Sequence, residues 1–257
     1  MKIDDRMINQ YLHNDQSVKE HWIFTHIENG HFLFEEPDKN LHSKVQTFRK
    51  EVIRLINNFE PLNPGVFSEL FPKWKEHTKD TTIILAVGCP EPYDAMAIEY
   101  QGDVYIIFDL IRLLNYVDAG YDAHELIRKL LTHEVSHICL YQTYSKEEYQ
   151  DYKGKLKFIT FHEGYAHLLA MSYDIRKYDF SEMITEHYQK SINKLEKALQ
   201  ETDPKKQETL LNEANAGAYW DKFAAISGKL FLANNRSRMT NLYDGGINNF
   251  IKEMGID

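Results

Sequence analysis

Residues 130–140 read Leu-Leu-Thr-His-Glu-Val-Ser-His-Ile-Cys-Leu, and the spacing within this stretch sets how the rest of the chain is read. His133 and His137 lie four residues apart. On an α-helix that separation leaves two side chains about 40° apart, so both imidazoles face the same way and one ion can take a nitrogen from each. Glu134 falls on the adjacent flank, within reach of a water molecule held between the histidines. Leu130, Leu131, Ile138 and Leu140 are apolar, and Val135 and Ser136 carry no charge, so the spacing predicts a buried helix over 122–142. Two imidazoles and a carboxylate buried together need partners, and a metal ion supplies them.

Moving toward the C-terminus, the next apolar helical stretch carries Phe161-His162-Glu163-Gly164-Tyr165-Ala166-His167. Glu163 is a carboxylate in an otherwise apolar element, which makes it the candidate third ligand. Gly164 costs a helix about 1 kcal/mol, a cost that makes sense if the backbone must approach another helix closely; the expected neighbour is the His133 helix. His162 and His167 are rival ligands. His162 points about 100° away from Glu163, and the plainer reading of it is a structural histidine. His167 lies one turn beyond Glu163 on the same face and suits a role beside the ligand or against substrate. Further helices are expected at 155–177, 180–201 and 206–233, with a short one near 246–254.

Toward the N-terminus the character changes. Residues 1–21 read as one short helix. Trp22–Ile27 and His31–Phe34 flank Glu28-Asn29-Gly30, a hairpin signal. Val45, Phe48, Val52, Ile53, Leu55 and Ile56 recur at helical spacing over 40–58, and a short helix is expected around 66–77. Thr81 to Gly88 is a continuous β-branched run of the kind found in buried strands. Ala95–Tyr100 and Val104–Phe108 form a second hairpin about Gln101-Gly102-Asp103. Strands come first and helices follow, which is the α+β order. The expected division places a mixed lobe over 1–144 and a helical lobe over 145–257, within one catalytic unit.

Bulk composition narrows the function. The 257 residues are 43% hydrophobic and 27% charged, as in ordinary globular proteins. A net charge of −9 argues against a nucleic-acid partner, which needs a basic footprint. Cys89 and Cys139 make no disulfide framework. The N-terminal stretch has no apolar leader core, and no run of about 18 apolar residues occurs. The expectation is a cytoplasmic protein with no membrane span; the oligomeric state is not legible.

HEVSH followed by HEGYA resembles the gluzincin branch of zincin metallopeptidases, the thermolysin-like arrangement, and small bacterial zinc-peptidase families with an EGxA-type glutamate helix. The likeness covers roughly residues 81–230 in the order of elements. It implies a zincin-like fold, one Zn2+ per chain on His133, His137 and Glu163, Glu134 as general base, and a peptide or protein substrate. The thermolysin-like form has Asp four residues after the ligand glutamate; here that place is His167. A further electrophile for the developing oxyanion would come from His167, Tyr165 or Tyr219. Two other readings compete: a regulatory or binding module on the same scaffold, and a di-iron carboxylate protein, whose Glu-x-x-His spacing Glu163 and His167 do not meet.

Overall fold

The computed structural model describes residues 1–28 and 30–256 and is α+β: a four-stranded mixed sheet and a large set of helices. The chain divides into two compact units. One comprises Met1–Glu60 and Lys75–Glu134; the other comprises Pro61–Trp74 and Val135–Asp257. The division falls inside the continuous helix Ala123–Tyr141. No helix among the described residues is long and apolar enough to cross a membrane.

The first unit holds the sheet, in the order β1 (Lys2–Asp4), β2 (Thr82–Ala86), β4 (Asp103–Asp109), β3 (Ala95–Tyr100). β1, β2 and β4 run parallel, and β3 returns antiparallel to β4 across Gln101-Gly102, both at positive φ. This two-residue reversal matches the twist of the strands it joins. β2 is flanked on both sides, which explains its unbroken apolar run: Ile83, Ile84, Leu85 and Ala86 are all buried. The helices Arg6–Leu12, His42–Asn57 and Leu110–Asp118 pack in series beside the sheet.

Three expectations for this unit are corrected. Residues 2–4 form a strand and 6–12 a helix, rather than one helix over 1–21. Trp22–Thr25 is a 3-10 turn, not a strand. The Trp22 ring stacks on Tyr100 at 4.1 Å and meets Tyr105 edge-on at 5.0 Å, so aromatic packing against the β3–β4 hairpin overrides local β preference. Outside this turn only a single bridge joins Glu28 to His31, and Asn29 of the expected Asn-Gly turn lies outside the described residues. The helix Leu110–Asp118 went unread in the sequence.

Asp109 starts that helix. Its side chain accepts from the backbone N–H groups of Ile111, Arg112 and Cys89 while fully buried. Desolvation outweighs these three donors and pushes its carboxyl up to about 6. The folded pKa therefore lies above the unfolded one. Between the two values the native state holds the proton more tightly, and this contribution to stability, complete below about 4, is lost as pH rises through about 6. The loss amounts to about 3 kcal/mol. Asp109→Asn is expected to lack this falling component; parallel urea midpoints for the two proteins between pH 4 and 7 would contradict it.

The second unit is helical. Its centre is the helix Phe223–Asn234, in which residues 223–233 are all buried. It packs chiefly on Tyr152–Leu169 and also on Gln189–Leu199 and the π-helical turn Ile184–Tyr188. The single helix expected over 206–233 is two, Pro204–Ala214 and Phe223–Asn234, separated by Gly217 at φ +91° and a 3-10 turn, Tyr219–Asp221. The helix expected over 155–177 ends at Leu169. The helix expected over 66–77 is broken near Pro72 into Pro64–Leu70 and Trp74–His77.

Asn63, itself left-handed at φ +50°, fastens the early segment to this unit. Its amide nitrogen donates to the carbonyls of Leu169 and Met171, and its oxygen accepts from the N–H of Ile175. It thereby satisfies groups left open where the Tyr152–Leu169 helix stops.

Candidate metal centre

His133, Glu134 and His137 all project from Ala123–Tyr141. The helix forms because its apolar positions recur with helical spacing and it contains neither Gly nor Pro. Ile127, Leu131, Val135 and Ile138 are buried, which anchors the rotation of the helix. Glu134 and His137 are nearly buried, at 6% and 8% exposure.

Glu163 comes from the middle of Tyr152–Leu169, a helix started by Asp151, whose side chain accepts from the Gly154 N–H. One donor atom each from His133, His137 and Glu163 lies within 4.8 Å of the others. Glu163 Oε1 stands 3.4 Å from His137 Nε2, and Glu163 Oε2 stands 3.6 Å from His167 Nε2. The first distance exceeds that of a good N–H···O bond. It is close to the roughly 3.3 Å that separates two donors placed tetrahedrally about 2.05 Å from one ion. The trio can therefore hold a metal ion.

The other sequence candidates separate cleanly. His167 lies outside the trio and faces the second oxygen of Glu163. Its ring meets Tyr219 edge-on, centroids 5.5 Å apart. Tyr165 is fully buried and its hydroxyl donates to the carbonyl of Met239, so it is a core residue. His162 is also interior, at 1% exposure, stacked on Phe158 at 3.8 Å. Burial lowers its pKa well below the usual value, helped by the neighbouring His137 and opposed by Glu163 and the Tyr144 backbone. It is a neutral ring packed behind the site.

Gly164 does what its helix cost suggested, with a different partner. A Cβ there would sit 2.8 Å from the backbone carbon of Gly228. The close neighbour is thus the Phe223–Asn234 helix, not the His133 helix. The same helix carries Lys229, a residue that sequence reading passed over. Its Nζ donates to Tyr219 Oη at 2.7 Å, although Lys229 is only 2% exposed. A lysine within an apolar run ordinarily reads as one that snorkels to solvent, so the pattern alone concealed it.

Comparison with known proteins finds no family model that matches the sequence, no curated protein that matches it, and no solved structure that matches the fold.

Proposed function

We propose that the protein is a zinc-dependent metallohydrolase acting on peptide bonds. The observation that carries this reading is the grouping of His133, His137 and Glu163 within 4.8 Å, with the nearly buried Glu134 next to the first ligand in the chain. Bound by these three residues, zinc would supply Lewis acidity toward a carbonyl oxygen and toward water. Glu134 is the general base: it takes a proton from the attacking water and returns it to the leaving amine. His167 stands 3.6 Å from Oε2 of Glu163, beyond hydrogen-bond length, on the side of the carboxylate away from the Oε1 that faces His137. The negative overall charge agrees with a peptide rather than a polyanion as substrate.

The test is elemental analysis of protein expressed with added zinc, combined with a peptide-library cleavage assay. About one equivalent of zinc is expected, as a three-ligand site retains its ion through purification. Cleavage should disappear on treatment with 1,10-phenanthroline and return with zinc. Less than about half an equivalent of zinc, or cleavage indifferent to the chelator, would overturn the reading.

A further inference from the structure

Lys229 is a charged side chain in the most apolar helix of the protein, with every residue of Phe223–Ala233 buried. A leucine or methionine would fill the same space without the desolvation of an ammonium. What the lysine does there is visible in its contacts. Nζ donates to Tyr219 Oη at 2.7 Å, which places it beyond the hydroxyl edge of that ring, 5.1 Å from its centroid, and it lies 5.5 Å from the centroid of the Trp220 ring. The Trp220 ring favours an ammonium at this position.

Donor counting fixes the direction of this bond. An ammonium has three N–H groups and no lone pair, whereas a phenol has one O–H and spare lone pairs. The bond runs from nitrogen to oxygen, and the phenolic hydrogen is left for a third group. The ring that carries it is held on two sides. It meets His167 edge-on at 5.5 Å, and His167 faces the ligand carboxylate of Glu163. The adjoining Trp220 stacks on His187 at 3.8 Å, within the π-helical turn Ile184–Tyr188. Tyr219 is 38% exposed as a residue, while its hydroxyl end, bonded to the buried Lys229, is held away from bulk solvent. Desolvation pushes its hydroxyl up to about 12, and it keeps its proton at neutral pH.

We propose that Lys229 is a positioning residue: its ammonium fixes the Tyr219 phenol as a polarised O–H donor aimed at the oxygen that gains negative charge when the substrate carbonyl is attacked. This rests on the metallohydrolase reading and adds to it the source of the second electrophile. Sequence reading left that role open among three residues. The hydroxyl of Tyr165 is occupied elsewhere, His167 lies against the ligand carboxylate of Glu163 at 3.6 Å, and Tyr219 has an O–H whose direction a buried cation constrains.

The experiment compares zinc-loaded wild-type protein with Lys229→Met, Tyr219→Phe and the double variant, reading zinc content, kcat and KM, and the affinity for acetohydroxamate by calorimetry. Zinc content should stay at the wild-type level in all four. Each single variant should lose about 10²-fold in kcat, as for removal of one oxyanion donor, with KM little changed. Each should also bind acetohydroxamate about tenfold more weakly, since the probe presents an oxygen anion to the same donor. The double variant should be no worse than either single one, because the two residues act as a unit. Lys229→Gln is the second variant, used where Lys229→Met does not fold. Its amide can either donate to the phenol or accept from it, so wild-type behaviour in this variant counts as rescue of the donor, and loss there counts as removal of it. Wild-type kcat and acetohydroxamate affinity in folded Lys229→Met, or in Tyr219→Phe, would overturn the proposal, as would losses that multiply in the double variant. Failure of the wild-type protein to take up zinc would instead defeat the metallohydrolase reading beneath it.

Discussion

Glu134→Gln is expected to lower peptide cleavage by about 10³-fold while leaving zinc content and fold intact. The substitution preserves size and keeps one acceptor oxygen, but an amide cannot take up a proton. Glu134 is nearly buried beside His133 and is not among the three grouped donors. Removing it should spare the metal and remove only proton transfer. The signature is a fall in kcat and in kcat/KM together, with KM little changed, because the lost interaction belongs to the transition state. Retained activity would assign the base to another residue. Loss of zinc would make Glu134 a ligand and change the chemistry of the site.

The second large effect concerns stability. Gly228→Ala is expected to destabilise the fold by more than about 3 kcal/mol, and Gly228→Val to prevent folding, because the added atoms meet backbone rather than adaptable side chain. A Cβ at Gly228 would lie 1.9 Å from the Thr160 carbonyl oxygen and 3.1 Å from the Gly164 Cα. Neither can step aside unless the two helices move apart. Alanine would gain about 1 kcal/mol in helix propensity, which does not offset such a clash. For a chain of this length the loss corresponds to a fall in Tm of roughly 6–12 °C. Gly164→Ala meets its nearest atom at 2.8 Å and should be the milder change. A melting temperature within 2 °C of wild type for Gly228→Ala would contradict the close helix approach.

How much of this was legible in the chain depends on the range of the force involved. The HExxH helix, expected over 122–142 and found over Ala123–Tyr141, follows from periodicity and needs no tertiary information. The β3–β4 hairpin follows from the chemistry of its turn. The grouping of Glu163 with the histidines was foreseeable because a carboxylate in an apolar helix calls for a partner. Long-range packing was not readable in this way. Gly164 announced a close approach without saying to what, and its neighbour lies 64 positions later at Gly228. Trp22 looked like a strand residue because its stacking partner, Tyr100, is invisible to a local window. The helix Leu110–Asp118 had a local signal, an aspartate followed by apolar Leu110, Leu113, Leu114 and Val117, which the preceding strand pattern masked. Lys229 left no signal at all, since nothing in an apolar run says which way one long side chain turns.

Asn63 carries a consequence for how the chain reaches this state. The segment it belongs to is synthesised about a hundred residues before Leu169, Met171 and Ile175, the groups it must bind. As the polypeptide leaves the ribosome, residues 61–74 wait without their helical partners, while the sheet-bearing unit is completed from sequence on either side of them. No single cut in the chain parts the two units, and a fragment that starts at Val135 would leave the carbonyls of Leu169 and Met171 to solvent.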